Sequence, residues 1–216
     1  MLAAILIILT SGAVSSGDAL RGGRLWDTWW RENGAPPPAG IAPFQQQTGP
    51  EAFRCVTCHG WSPTEWGSVQ NLTDILLSSE GPQGHGLREH GLTTEDADDI
   101  LAYLTSGAVD SAPLLDDDGA FRGDAERGQA LYQKGHRGAM PCMACHGPDG
   151  VWLNLGSQRT PEWIGTIADD HPARFLHAIR FGKAGSIMPG WHALGESSQA
   201  MADLGAYAQQ MLPETV

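Results

Sequence analysis

The chain has 216 residues, of which 13 are basic and 25 acidic, and its formal net charge is −12. Apolar residues make up 41% of it and include 8 tryptophans, which excludes an intrinsically disordered chain and favours one or two small globular domains. The acidic excess repels phosphate backbones, so nucleic acid is excluded as a partner and charged protein partners are expected to be basic.

The residue pattern of the N-terminal segment predicts an export signal. Residues 2–9 are uninterrupted apolar, and small and polar residues follow as far as Ala19. A run this short cannot cross a bilayer, for which a helix needs about 20 residues. Residues 1–19 are therefore predicted to be a signal peptide, cleaved after Ser15 or after Ala19. A buried N-terminal helix is the alternative, and a retained segment would act as a weak membrane anchor.

A tryptophan-rich helix is predicted next, over Arg24 to Arg31. Trp26, Trp29 and Trp30 lie on one of its faces, at i, i+3 and i+4. The proline-rich stretch 34–40 cannot continue the helix. Residues 20–50 are predicted to form an N-terminal extension whose tryptophans serve as core or as a lid over a flat apolar group. A partner-docking patch is the alternative.

From about residue 51 the sequence repeats itself. Residues 55–60 read Cys-Val-Thr-Cys-His-Gly and residues 142–147 read Cys-Met-Ala-Cys-His-Gly, and each motif is followed by a helical pattern that ends the copy. The pattern predicts a first domain at 51–108, an acidic linker at 109–123 and a second domain at 124–216. Each domain is too small to bury a large core of its own, so a cofactor is expected to fill its middle.

The repeated motif is suited to covalent attachment of haem c. Two thiols three residues apart can add to the porphyrin vinyl groups, and the adjacent histidine can bind the iron. A zinc site, a redox-active pair and disulfides are the competing interpretations, but a shared four-cysteine zinc site would leave both histidines unexplained. Two haem c groups are therefore predicted. The attachment residues are Cys55 and Cys58 with His59, and Cys142 and Cys145 with His146.

The sequence resembles the class I c-type cytochromes in a tandem di-haem form, over about residues 24–212. The resemblance implies a mainly α fold, with two tandem cytochrome c-like helical domains that are each wrapped around one covalently bound haem c. It also implies that Gly128 and Tyr207 meet where the first and last helices of the second domain cross. It is carried by Gly123-Asp124 at the start of a helix, the second attachment motif with Asp149-Gly150, the Met188-Pro189-Gly190 loop and Tyr207.

Met188 is the predicted sixth ligand of the second haem. Pro189 and Gly190 after it give an extended loop, as in the methionine loop of the resembled family. The other methionines lie in or beside the attachment motif or in the last helix, where core packing explains them. A His/Met pair of axial ligands is therefore expected in this domain.

The first domain needs a different ligand, because it has no methionine between its attachment motif and the linker. The methionine of the second domain lies 207 − 188 = 19 residues before the tyrosine of the last helix, and the same distance before Tyr103 is Gly84, the neighbour of His85. His85 is the predicted sixth ligand. His90 and an open iron site are the alternatives.

These features indicate a periplasmic di-haem cytochrome c that passes single electrons between redox proteins, through a low-potential bis-His haem and a higher-potential His/Met haem. The chain is expected to be an electron carrier and not an enzyme. The alternative is a di-haem peroxidase-like or other haem redox enzyme with a dissociable axial ligand. The redox partners are expected to have basic docking surfaces, and a larger respiratory or sulfur-oxidising complex is a further possibility for a fixed partner.

Overall fold

A computed structural model of the chain describes residues 17–42, 48–61, 72–79, 84–192, 195 and 197–212. Within them the chain is helical, with two isolated β-bridges and no strand, which confirms the mainly α expectation. The α-helices are α1 (Ala19–Asn33), α2 (Cys55–His59), α3 (Leu72–Leu77), α4 (Thr94–Ala102), α5 (Ala125–Lys134), α6 (Met143–His146), α7 (Ile164–Asp170), α8 (Pro172–Phe181) and α9 (Ser198–Ala208). Single 3₁₀ turns occupy Pro50–Phe53, Leu87–His90 and Ala112–Leu114, and a π turn at Tyr103–Gly107 continues α4.

The predicted apolar core of the signal peptide lies outside the described residues. No described helix is long and apolar enough to cross a membrane. The Asp18 side chain accepts hydrogen bonds from the backbone N–H groups of Leu20 and Arg21 and so caps α1, which begins at Ala19, earlier than the sequence pattern predicts. The three tryptophans of α1 are buried, as expected of core residues.

In the first half of the structure (17–107), α1 crosses α4 at a glycine. A Cβ atom on Gly22 would overlap the carbonyl oxygen of Asp99 and come within 2.9 Å of Tyr103 Cβ. The Asp18 backbone N–H donates to an Asp99 carboxylate oxygen at 2.6 Å, and Arg21 pairs with the same carboxylate. The close approach of the two backbones therefore requires a residue without a side chain at position 22.

In the second half (123–212), α5 and α9 cross in the same manner. A Cβ atom on Gly128 would overlap the Asp203 carbonyl oxygen and lie 2.8 Å from Tyr207 Cβ, so the expected meeting of Gly128 with Tyr207 is present. The Asp124 backbone N–H donates to the Asp203 carboxylate at 2.8 Å, and Arg127 pairs with that carboxylate. These four contacts of the first crossing thus have counterparts in the second, whereas, among the described residues, the further ion pair of Arg21 with Asp96 occurs only in the first.

The shared geometry has a shared sequence. Residues 17–22 read Gly-Asp-Ala-Leu-Arg-Gly, and residues 123–128 read Gly-Asp-Ala-Glu-Arg-Gly. In both copies the aspartate caps the helix, the arginine pairs with an aspartate of the crossing helix, and the last glycine lies at the crossing. Part of the segment assigned to an extension at 20–50 is therefore the helix that packs against α4.

The two halves are in contact through α1 and α8. Gly23 of α1 lies directly against the ring of Phe181, and its carbonyl oxygen accepts a 2.9 Å hydrogen bond from Nε2 of His177. The connecting segment is folded into a tight turn, in which the exposed Asp116 carboxylate accepts hydrogen bonds from the backbone N–H groups of Asp118 and Ala120. The two helix crossings are therefore packed against each other and joined by an ordered turn.

Candidate cofactor sites

The first attachment motif forms the short helix α2. Gly60 ends it with φ +71°, in the left-handed region that favours glycine, and its carbonyl oxygen accepts a 3.0 Å hydrogen bond from Nε1 of Trp26. Cys55 is buried and Cys58 exposed, and neither forms a disulfide. Burial raises the pKa of the Cys55 thiol to about 12, so it is protonated at neutral pH. One helical turn thus presents both thiols next to His59.

The imidazole of His59 lies close to that of His85. Their ring centroids are 6.1 Å apart, with an angle of 42° between the ring planes. Two metal–nitrogen bonds of about 2 Å, each continued by about 1 Å to the ring centre, place two such centroids about 6 Å apart. Burial, followed by the charge of His85, lowers the pKa of His59, which favours the neutral imidazole that binds metals. The pair therefore has the spacing that a shared iron requires.

Backbone hydrogen bonds hold His85 in place. Its N–H donates to the carbonyl oxygen of Ile75 at 2.7 Å, and the N–H of Gly86 donates to that of Ser78 at 2.8 Å. Ile75 belongs to the last turn of α3, where carbonyl groups lack helical partners, and Ser78 directly follows the helix. His90, the alternative ligand, lies in the following 3₁₀ turn with its ring 4.9 Å from that of Phe53. The structure thus brings His85 to His59 and places His90 on an aromatic core residue.

The second attachment motif repeats the local structure of the first. Gly147 ends α6 with φ +79°, and its carbonyl oxygen accepts a 2.6 Å hydrogen bond from the Tyr132 hydroxyl. Tyr132 occupies the position on α5 that Trp26 occupies on α1. In each half, therefore, an aromatic side chain of the first helix donates a hydrogen bond to the glycine after the motif. Cys142 is half-buried and Cys145 exposed, and burial raises the pKa of Cys142 to about 11.

A cavity adjoins the second motif and brings together Cys142, His146 and Met188. Its empty volume is about 880 Å³, open solvent at the mouth included. Burial lowers the pKa of His146, and its Nδ1 is buried without a hydrogen-bond partner among the described residues. The walls are mainly apolar, with contributions from Ile164, Ile167, Phe175, Ala178, Ile179, Leu204 and Ala208.

The loop that carries Met188 is fixed at both ends. The N–H of Lys183 donates to the carbonyl oxygen of Met188 at 3.4 Å, and the N–H of Trp191 donates to that of Ile179 at 2.9 Å. The Ser186 hydroxyl oxygen accepts from the N–H of Met188 at 3.2 Å. The methionine thereby reaches the cavity as a half-buried side chain, across from a motif that is more than forty residues away in the sequence.

The residues present fit a haem better than a bare metal ion. No group of three or more histidine, cysteine or acidic side chains that could hold a metal ion occurs in the described ranges, as a zinc site would need. Haem is a flat apolar group with carboxylates on one edge, and the cavity pairs apolar walls with the charged side chains of Asp27, Arg174 and Lys183. The two pairs of thiols, each with a histidine beside it, complete the donor set.

Sequence reasoning missed several residues at the boundary between the sites. Asp27 is buried between Arg54 and Lys183, with Lys183 Nζ 2.7 Å from its Oδ2. Burial alone would raise the pKa of Asp27, but the Lys183 and Arg54 charges hold it below its ordinary value. His177 is fully buried, and burial lowers its pKa to about 4. No local pattern signals either residue, because Lys183 is 156 positions from Asp27 and the acceptor of His177 is 154 positions away.

Comparison with known proteins found a family similar to one part of the chain. Residues 123–207 match the family described as cytochrome C oxidase, cbb3-type, subunit III. A search of curated proteins found no match. Among solved structures, a chain of the Kuenenia stuttgartiensis reducing HAO-like protein complex aligns at 16% identity and a TM-score of 0.33, covering 74% of this chain and 92% of that chain, a likeness too weak to bear on function. Residues 123–207 are thus similar to a cytochrome c domain, and a domain of this type implies covalently bound haem and electron transfer by it.

Proposed function

We propose that the chain is an exported di-haem c-type cytochrome that carries single electrons between redox proteins. One haem is held in the first half and the other in the second half, at unequal potentials. The proposed protein ligands are Cys55, Cys58, His59 and His85 for the first haem, and Cys142, Cys145, His146 and Met188 for the second.

The observation that carries the proposal is that the unit matched by the cytochrome c family in the second half has a counterpart in the first. Both halves have a Gly-Asp-Ala-x-Arg-Gly helix start, a helix crossing at a glycine and an attachment motif whose closing glycine is bound by an aromatic side chain. Because the second unit implies a haem, the repetition of the same unit supports a second haem in the first half.

The axial residues support a carrier and not an open catalytic iron. The ring centroids of His59 and His85 are 6.1 Å apart, a spacing compatible with one iron, and Met188 lines the same cavity as His146. Haem supplies reversible one-electron chemistry when bound, and its potential rises when methionine replaces histidine as an axial ligand. Haems held by His59 with His85 and by His146 with Met188 would offer no open coordination position at which a substrate could bind.

The charge of the chain supports redox partners with basic docking surfaces. The formal net charge of −12 would attract such surfaces and accelerate encounter at low ionic strength. In bacteria haem attachment to Cys-x-x-Cys-His motifs takes place outside the cytoplasmic membrane, which supports a periplasmic location together with the apolar N-terminal run. A fixed place in a larger respiratory or sulfur-oxidising complex is the alternative arrangement for the partners.

Haem counting tests the proposal directly. The full chain, produced in a host with haem-attachment machinery, should carry two haems per polypeptide by pyridine haemochrome absorbance. Replacing both cysteines of either motif by serine should leave one haem per polypeptide. The C55S/C58S and C142S/C145S variants therefore serve as controls for each other. A wild-type protein with one haem, or one in which a single motif accounts for all bound haem, would refute the di-haem carrier.

A second experiment addresses the carrier role. The reduction rate by a small basic redox protein should fall as ionic strength rises, because salt screens the attraction. A rate that does not depend on salt would contradict the partner proposal. Steady peroxide turnover by the half-reduced protein would instead favour the peroxidase-like alternative.

A further inference from the structure

Trp61 is in contact with both candidate sites. It follows His59 by two positions and so belongs to the first attachment motif by sequence. Its side chain nevertheless lines the cavity that contains His146 and Met188 in the second half. Of the residues around that cavity, Trp61 comes from the segment nearest to the first motif, which makes it a physical link between the two sites.

The indole is held in one orientation by the interface around it. Its ring packs edge-on against the imidazole of His177, with centroids 4.9 Å apart and an angle of 60° between the planes. Its backbone carbonyl oxygen accepts a 3.4 Å hydrogen bond from the Tyr103 hydroxyl, and the guanidinium of Arg54 lies 5.6 Å from the centre of its ring. Contacts on several sides therefore restrain Trp61 between the halves.

His177 is a wall of this contact and not an iron ligand. Its Nε2 is 2.9 Å from the carbonyl oxygen of Gly23, which can only accept, so Nε2 carries the proton of the neutral ring. Its Nδ1 faces the Tyr103 hydroxyl at 3.4 Å. The Tyr103 hydroxyl has one proton, which this nitrogen shares with the Trp61 carbonyl oxygen, and the His177 ring packs against Trp61.

Aromatic rings also connect His59 to this interface. The Trp26 ring is 5.7 Å from that of His59 and 5.6 Å from that of Tyr103. The Tyr103 ring is in turn 5.7 Å from that of His177, at an angle of 82°. Packed rings therefore extend from His59 to His177, the ring against which Trp61 packs at the second cavity.

We propose that Trp61, held in place by His177, is the main contact through which electrons pass between the two sites. This inference rests on the proposed di-haem function. One electron moves from the lower-potential site to the higher-potential site, so one iron is oxidised and the other reduced. No bond forms or breaks, no proton moves, and the indole is not itself oxidised, because it provides only the bonded and packed atoms between the sites.

The test measures electron transfer within the full-length di-haem protein after one haem has been reduced by a short pulse. W61L should slow this transfer, on the order of tenfold, because the aromatic contact is lost. W61F retains a ring and should slow it less. H177Q keeps an amide donor for the Gly23 carbonyl but removes the imidazole, and it should also slow the transfer. W152L is the matched control, because Trp152 follows the second motif but is 65% exposed.

Measurements on the resting protein separate this role from a merely structural one. The two reduction potentials and the magnetic coupling between the two ferric haems, measured by EPR, report whether the sites have moved. Slower transfer in W61L with unchanged potentials and coupling supports the proposal, whereas an unchanged rate in a W61L protein that holds both haems overturns it. If W61L fails to bind both haems, unchanged rates in W61F and H177Q overturn it. A wild-type protein with a single haem would instead refute the proposed function itself.

Discussion

The imidazoles of His59 and His85 lie at a centroid distance of 6.1 Å, although the two residues are 26 positions apart in sequence. His59 is fixed by the helix of the attachment motif, whereas the backbone of His85 is fixed by carbonyl groups at the end of α3. The positions of the two histidines therefore depend on two separate pieces of backbone structure. This property suits an iron site whose ligation must survive repeated oxidation and reduction.

Removal of the His85 imidazole should leave the iron of the proposed first haem with an open coordination position. In the proposed di-haem protein, H85A is expected to convert one of the two low-spin ferric haems to a high-spin or water-bound species, because the proposed second imidazole ligand is lost. EPR and electronic absorption of the ferric protein measure this change. H90A is the control, since His90 packs on Phe53, and it should leave the spectra unaltered. A spectral change in H90A but not in H85A would reassign the ligand.

Removal of Met188 should change only the second haem. M188A is expected to abolish the near-infrared band of methionine-ligated ferric haem and to lower the potential of that haem, because thioether ligation favours reduced iron. M188H should give a second bis-His spectrum. M140A is the control, because Met140 is 64% exposed and lies before the second motif. Persistence of the band in M188A would show that another residue is the ligand.

The crossing glycines should tolerate no side chain. G22A and G128A each place a methyl group against a carbonyl oxygen of the crossing helix, so each should lower the free energy of unfolding by about 1–3 kcal/mol or more. Q129A, at an exposed position of α5, is the control and should change it by no more than about 0.5 kcal/mol. Chemical denaturation of the haem-loaded proteins provides the measurement. Equal stability of G128A and Q129A would contradict the close backbone contact.

The buried Asp27 should contribute far more to the free energy of unfolding than the exposed carboxylate that pairs with the same arginine. D27N leaves Arg54 and Lys183 without their buried partner and should cost about 3–5 kcal/mol of unfolding free energy. E51Q removes the other carboxylate of Arg54, which is 67% exposed, and should cost less than about 1 kcal/mol. Similar losses in the two variants would show that the Asp27 cluster is not an essential contact between the halves.

The stability of the protein should depend on pH through His177. Its pKa is about 4 in the folded protein and 6.5 in a model peptide, so between these values the unfolded chain binds more protons. Stability is therefore undiminished above pH 6.5 and falls as pH decreases to 4, by about 3 kcal/mol from this residue. H177Q should flatten this part of the profile in denaturation experiments. Asp27 and Asp203, whose pKa values are lowered, act below this range, since their contribution is lost as pH falls below 3.8.

The parts that could be predicted from sequence are those that depend on short stretches. The spacing within Cys142–His146 fixes one helical turn, and Pro189 and Gly190 mark the loop of Met188. The helix start at residues 17–22 is less distinct, because small residues beside an apolar run fit both a cleavage site and a helix cap. The placement of α1 against α4 therefore becomes evident only from the folded chain.

The contact between the halves has no such local signature. Lys183 and Asp27 are 156 positions apart, and nothing near either residue indicates a buried partner. Similarly, the sequence around Trp61 does not indicate its contact with His177, which depends on the placement of α8. Long-range packing of this kind depends on how two complete helix crossings fit together, which residue patterns within one crossing do not encode.

The exposed turn at Asp116–Gly119 is a natural site for a protease, but a cut there would not divide the molecule. Lys183 of the second half pairs with the buried carboxylate of Asp27 in the first half, so pulling the halves apart would leave Lys183 without its partner. Gln209 would still hold the C-terminal flank of the cut, through hydrogen bonds to Phe121 and Gly119. A nicked chain would therefore migrate as two fragments under denaturing conditions and as one particle under native ones.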